Sequence, residues 1–228
     1  MKVLELFSGT GSISKAVKKK NPNNYVISLD RDIHNPHSDL HIQEDIMTWD
    51  YTTIDRDSID LITASPVCMW WSKARLVWIG RKLKSHGDKI ITREDIDNDI
   101  AKYGLPMLIK TKEIIVYFNP THSWIENPWS SSMKKVLDPI YPRHKVSYCK
   151  YGFDYQKDTA FWMDNDLYEK FEPKCCKRDC GKIIDNPING RCKRGHVGDL
   201  GKYGKNGNRL DRYRIPIDLI ESLLNCIE

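Results

Sequence analysis

The residue in this chain best placed for covalent chemistry is Cys68, in the stretch ASPVCMWWS that follows the apolar run IDLIT. A free cysteine is by default a small core residue. Here Pro66 restrains the backbone at the end of a short apolar strand, and a basic stretch follows. Residues 73–93 carry Lys73, Arg75, Arg81, Lys82, Lys84, His86, Lys89 and Arg93, a mobile-looking loop whose charge could favour the thiolate that a nucleophile requires. A companion acid is offered by Glu126, which ends the apolar strand in SWIENP and is followed by Asn127 and Pro128. A thiol and a carboxyl at neighbouring strand ends suit addition to an electron-poor ring with proton donation to that ring.

A second group of residues points to a ligand. The strand KVLELF runs into Gly9-Thr10-Gly11 and then into a helical pattern, ISKAVKKK. Such a turn offers backbone N–H groups and a helix N-terminus at the carboxyl edge of a sheet. Position 14 is Ser14, where a dinucleotide fingerprint has its third glycine, which speaks against nicotinamide or flavin. Asp30 closes YVISLD, where it can accept hydrogen bonds from ribose hydroxyls. With Phe7 and Asp45, these features fit a nucleoside lacking pyrophosphate, such as S-adenosylmethionine.

The elements that must hold these groups alternate strand and helix, which implies an α/β fold with a parallel sheet covered on both faces. A third strand-like pattern is read beyond the Asp45 segment, and IDLITAS forms a fourth strand. A helix is expected from near Asp95 to about Phe118, interrupted at Gly104-Leu105-Pro106, and KVSYCKYGF and TAFWM read as an antiparallel pair. Trp70 and Trp71 are by default core residues, with stacking on a base as the alternative. At 228 residues and 40% hydrophobic content, one good-sized core with a small appendage is expected. Residues 1–164 form that core, 165–212 an insert, and 213–228 a helix returning to the core through Ile217, Ile220, Leu223 and Leu224. No apolar segment approaches the roughly 18 residues of a membrane span, so no membrane partner and an intracellular location are expected.

The insert carries 13 Lys and Arg against 7 Asp and Glu between residues 165 and 214, which concentrates the chain's formal charge of +5. With seven cysteines in a reducing compartment, thiols are read as core filler, nucleophile or metal ligands rather than disulfides. Cys176, Cys180, Cys192 and His196 follow a C-x3-C-x11-C-x3-H pattern compatible with structural zinc, with Cys175 left open as the alternative first ligand. Metal would supply folding free energy that this polar segment lacks. Cys149 and Cys226 read as core residues. Arg178, Lys182, Arg191, Lys193 and Arg194 are candidates for nucleic-acid contact.

LELFSGTGS, SLDRD, the Asp45 segment, ASPVC, WIENP and YCKYGFDYQKDTAFW resemble, in order, the motifs of the DNA (cytosine-5)-methyltransferases. The closer likeness is to the short phage and virus-type cytosine methylases, with ENP and a YGF/K-x-T-x-x-W segment. The resemblance implies a Rossmann-like methyltransferase core that binds S-adenosylmethionine through Phe7, Ser8, Gly9, Thr10, Gly11, Asp30, Arg31, Asp45, Ile46 and Ser65. It also implies that double-stranded DNA is the substrate and that the target cytosine is flipped into a pocket. Cys68 would then attack C6, Glu126 would hold and protonate N3, and Pro66, Asn127 and Lys157 would complete the catalytic set. The basic insert falls where the family places target recognition, and the host compartment would be cytoplasm or nucleus for a virus, cytoplasm for a bacterium or phage. Val67 stands where the family usually has a second proline, which would loosen the turn. Gln156-Lys157-Asp158-Thr159 replaces Q-R-x-R, and threonine lacks the donor fork of arginine. The same chemistry on RNA, or a noncatalytic DNA-binding relative, stays open at this point; an adenine-N6 methylase would leave Cys68 without a role.

Overall fold

The computed structural model describes residues 1–153, 155–177, 180 and 213–227. Its centre is a seven-stranded sheet built from β1 (Lys2–Leu6), β2 (Tyr25–Leu29), β3 (Leu40–Ile42), β4 (Leu61–Ala64), β7 (His122–Pro128), β8 (Arg143–Ser147) and β9 (Asp158–Met163). The spatial order is β3-β2-β1-β4-β7-β9-β8, with β9 antiparallel to both its neighbours and every other pairing parallel. A small antiparallel hairpin, β5 (Lys82–Leu83) with β6 (Lys89–Ile90), stands apart from it.

Side chains of β1 alternate between two cores: Val3 packs with α1 (Ser12–Lys20) and the C-terminal helix α6 (Ile217–Leu224), while Leu4 and Leu6 pack with α3 (Leu105–Phe118) and α4 (Lys134–Leu137). That alternation is the period of two expected of a strand covered on both faces. The last turn of α1 carries Lys18, Lys19 and Lys20, charges that suit the negative end of a helix dipole. Lys19 reaches Glu221 of α6 at 2.6 Å, and Lys20 reaches the Leu224 carbonyl at 2.8 Å. Helix α6 therefore packs on α1, with Leu219, Ile220, Leu223 and Leu224 buried.

Several sequence expectations change in detail. The third strand is β3, ahead of Asp45, and the segment beyond Asp45 is a turn followed by a single 3-10 turn at Tyr51–Thr53. The long helix is α2 (Arg93–Asp99), a π-helical turn Ile100–Gly104, then α3, so the interruption falls just before Pro106. Gly104 fits closely there: a Cβ added to it would stand 3.0 Å from the buried Trp71 ring. Residues 73–93 contain a 3-10 helix at Lys73–Trp78 and the β5–β6 hairpin. The packed body also runs past residue 164, because α5 (Asn165–Lys170) places Leu167, and the chain just after it Phe171, in the core. Among the described residues no helix is long and apolar enough to cross a membrane.

Candidate active site

In an open α/β sheet, ligands settle outside the carboxyl ends of the strands where the connections part to opposite sides. Here that point lies between β1 and β4, and both sequence-derived groups meet there: the glycine turn after β1 and Ser65–Cys68 after β4. Ser65 N–H donates to the Leu6 carbonyl at 3.2 Å, tying the two strand ends together.

The glycine turn is strained in ways that define its shape. Phe7, Gly9 and Gly11 all have positive φ, and only glycine adopts that region without a steric cost. At Gly11 a Cβ would also lie 2.1 Å from Asn35 Oδ1. Asn35 is held there by Glu5 and Ser14, through Nδ2 at 3.2 Å from Glu5 Oε2 and 2.8 Å from Ser14 Oγ. Ser14 in turn donates both its N–H and its hydroxyl to Glu5. Glu5 and Asn35 are the supports that sequence reasoning missed; Glu5 sat in plain view inside LELF, but only the fold turns its side chain beneath the turn. Asp30 Oδ2 accepts from Gly9 N–H at 2.9 Å, and its Oδ1 accepts from the N–H groups of Asp32 and Ile33, each at 2.9 Å. Asp30 thus shapes the turn itself. Asp45 accepts from Met47 N–H at 2.9 Å and lies 3.5 Å from exposed Arg31, while Ile46 is buried beneath. Thr10 Oγ1 lies 3.4 Å from Ser12 Oγ. Among the described residues Ser8 Oγ is buried with no partner, and a Cβ at Gly9 would meet only the Phe7 carbonyl and the Tyr213 Cβ, both at 3.9 Å. An orphaned hydroxyl beside an open backbone position fits a polar ligand such as S-adenosylmethionine.

Burial raises the Glu5 carboxyl to about 7, against the lowering effect of its hydrogen bonds. The native state therefore holds that proton more tightly than the unfolded chain. Its stabilising contribution is complete below about pH 4.5 and is lost as pH rises through 7. We expect Glu5→Gln to gain thermal stability relative to wild type as pH goes from 5 to 8, by about 3 kcal/mol at the top of that range. Melting curves at both pH values check this, and an unchanged gap would contradict it.

The turn after β4 is held from two sides. Asn127 Nδ2 donates to the Pro66 carbonyl at 2.8 Å, and the Cys68 carbonyl accepts from Trp71 N–H at 3.1 Å and Ser72 N–H at 2.9 Å. Those bonds restrain the turn although Val67 replaces a proline and lies exposed. Trp71 is buried against Gly104, and Trp70 stacks on Tyr103 with ring centroids 4.7 Å apart. Both tryptophans therefore anchor the loop.

Glu126 is buried next door on β7, accepting from Tyr148 Oη at 3.2 Å, with Lys157 Nζ 3.7 Å from the same oxygen and over the Tyr148 ring. Burial pushes the Cys68 thiol up from its ordinary value; Lys157 opposes that shift and Glu126 adds to it. The cation that acts on the thiol is thus Lys157, not the basic loop. Within that loop Arg75 pairs with Asp99 and Lys89 with Asp95 at 2.6 Å, both carboxylates of α2. Thr159 is fully buried in the sheet, in register with Pro128 and Val146, and its hydroxyl lies on the side of Tyr148, the phenol that bonds Glu126. Two cavities, of about 360 Å³ beside Trp70, Trp71 and Ile96 and about 270 Å³ at the opposite sheet edge around Met1 and Asp60, do not include Cys68 or Glu126.

Of the expected zinc ligands, Cys176 and Cys180 lie together, whereas Cys192 and His196 fall outside the described residues. So do Arg178, Lys182, Arg191, Lys193 and Arg194. Cys175 is turned away, with Sγ 2.9 Å from the Lys145 carbonyl. Cys149 is buried as expected, but its thiol joins Cys176 and Cys180. Cys226 is half-buried against the core.

The sheet order and this edge define a methyltransferase-type fold, and a methyltransferase from Entamoeba histolytica superposes with a TM-score of 0.55 over 100% of this chain and 97% of its own, at 11% identity. No family model matches the sequence. A probable DNA (cytosine-5)-methyltransferase from Frog virus 3 (isolate Goorha) is 34% identical over 230 aligned residues, covering 99% of each chain. The chain belongs to the DNA (cytosine-5)-methyltransferase family.

Proposed function

We propose that the protein transfers a methyl group from S-adenosylmethionine to C5 of cytosine in double-stranded DNA, with Cys68 as covalent nucleophile. The observation that carries this reading is the meeting, at one sheet edge, of Cys68 with buried Glu126 and Lys157, beside a glycine turn with an orphaned Ser8 hydroxyl. Phe7, Ser8, Gly9, Thr10, Gly11, Asp30, Arg31, Asp45, Ile46 and Ser65 surround the proposed cofactor position. Bound S-adenosylmethionine supplies an electrophilic methyl group.

The chain's own residues prepare the acceptor. A cytosine taken out of the stack would place its ring between the turn after β4 and the end of β7. Cys68 Sγ adds to C6, and Glu126, protonated for the purpose, donates to N3, so that electron density collects at C5. Lys157 favours the thiolate before attack, and Asn127 keeps Pro66, and with it Cys68, in register with Glu126. After methylation at C5, which releases the donor's thioether, loss of the C5 proton to water expels the thiolate, and N3 returns its proton to Glu126, restoring the ring. Residues beyond the packed α5 and Cys176, with their concentrated positive charge, form the proposed recognition insert, where phosphate contacts would dominate affinity.

The test is transfer of labelled methyl from S-adenosylmethionine to mixed-sequence duplex DNA and, separately, to RNA, followed by nucleoside analysis. Label in 5-methyldeoxycytidine is expected. Label confined to RNA, or label in N6-methyladenine, would overturn the reading.

A further inference from the structure

The Cys149, Cys176 and Cys180 thiols converge outside the proposed catalytic cluster, although nearly thirty positions separate the first from the others in sequence. All three Sγ atoms lie within 4.8 Å of one another. Around a tetrahedral zinc with Zn–S distances near 2.3 Å, sulfurs stand about 3.8 Å apart. Contraction by about 1 Å, within reach of χ1 adjustments, would bring the three onto one ion.

The backbone beneath them is already fixed. Cys149 sits in the 3-10 turn Tyr148–Tyr151 that follows β8, and Tyr148 N–H donates to the Lys157 carbonyl at 3.1 Å. Cys176 is docked against the same strand end, because its N–H donates to Ser147 Oγ at 2.9 Å and Ser147 N–H donates to the Lys174 carbonyl at 3.0 Å. Lys174 N–H donates to Tyr151 Oη at 2.8 Å. These bonds decide between adjacent cysteines: Cys175 points back to Lys145, and Cys176 points to Cys149.

We propose that Cys149, Cys176 and Cys180 bind a zinc ion as a structural site. Thiolates select zinc over the hard divalent cations, and three thiolates from two separate segments, set apart from Cys68 and Glu126, supply three of the four ligands of a tetrahedral structural site and leave its fourth position to a further donor. The ion staples the segment after α5 to the sheet edge that also carries Lys157. It acts one hydrogen bond away from that edge, since Ser147 Oγ, which accepts from Cys176, donates to Asp158 Oδ1 at 2.7 Å. This assignment does not depend on the methyl-transfer reading, and it replaces a core role for Cys149 with that of a ligand.

The test is the metal content of the full chain, purified under reducing conditions without added zinc, followed by cobalt(II) exchange. About one zinc per chain is expected, with tetrahedral cobalt bands and a strong thiolate-to-cobalt transition in the near ultraviolet. Cys149→Ser should lose the zinc or weaken that transition by roughly a third, one thiolate of three, whereas Cys175→Ser should keep both at wild-type level. Chelation of the wild-type protein should lower its melting temperature and zinc should restore it, which keeps the proposal testable if Cys149→Ser fails to fold. Substoichiometric zinc in the wild type, loss of metal in Cys175→Ser but not in Cys149→Ser, or a Cys149–Cys176 disulfide in place of metal would each overturn the assignment.

Discussion

Cys68→Ala should abolish methyl transfer to DNA while leaving S-adenosylmethionine binding within about twofold of wild type, because Cys68 belongs to the turn after β4 and the proposed cofactor contacts belong mainly to the turn after β1. A sharper form uses a duplex containing 5-fluorocytosine. Fluorine occupies the position from which the C5 proton must leave, so the thiolate cannot be expelled once the methyl group has arrived. Wild-type protein with the methyl donor should therefore be captured as a protein–DNA adduct that survives denaturing electrophoresis, and Cys68→Ala should give none. Removal of one thiol from a half-buried position costs little packing, and circular dichroism would establish that the variant keeps its fold. Methyl transfer by Cys68→Ala at more than a trace would mean that the chemistry does not pass through this thiol. An absence of adduct with both proteins, together with intact DNA binding, would favour a noncatalytic member of the family.

What could be read from residue order and what could not divides along physical lines. Local signals were legible. The glycine turn, Cys68 at the end of a short apolar strand, Glu126 at the end of another, and the helix break before Pro106 each depend on residues close in sequence. So did the antiparallel pair, although β8 starts earlier than expected and YCKY closes as a 3-10 turn. β3 escaped notice because three half-exposed residues at a sheet edge carry no periodicity, and parallel pairing with β2 makes the strand. The six-residue helix α5 escaped for a similar reason: only Leu167 and the following Phe171 mark its buried side.

The remainder consists of long-range polar contacts. Asn127 finds the Pro66 carbonyl across 61 positions, and Glu5 finds Asn35 across 30. No spacing rule announces either pair, since each is set by which strands become neighbours. The basic loop taught the complementary lesson. Its eight cationic residues looked like the natural source of positive charge for a nearby thiol, yet Arg75 is buried against Asp99 and stacked between Trp70 and Trp78. A single cation delivered from β9's entry, Lys157, outweighs them because electrostatic influence falls with distance and with exposure to water. Sequence proximity to Cys68 was a poor guide to proximity in space.

Glu126→Gln and Lys157→Met should separate acid catalysis from thiol activation, because the two charges act on Cys68 in opposite senses. Burial already holds the thiol above its ordinary value, so the thiolate becomes populated only as pH rises. Lys157 lowers the value; its removal should carry the pH profile of Cys68 alkylation further upward. Glu126 raises it; Glu126→Gln should carry the profile downward and make the thiol easier to alkylate at neutral pH. Alkylation read by mass spectrometry at the Cys68 peptide distinguishes this thiol from the other six. Methyl transfer should nevertheless fall by about 10²- to 10⁴-fold in Glu126→Gln, the usual contribution of a positioned acid, because glutamine can hold N3 but cannot protonate it. A more reactive thiol in a much slower enzyme is an outcome that mere damage to the fold would not produce, since unfolding would raise alkylation in both variants together. Transfer at the wild-type rate by Glu126→Gln, or alkylation profiles unchanged in both variants, would remove Glu126 and Lys157 from the roles proposed for them.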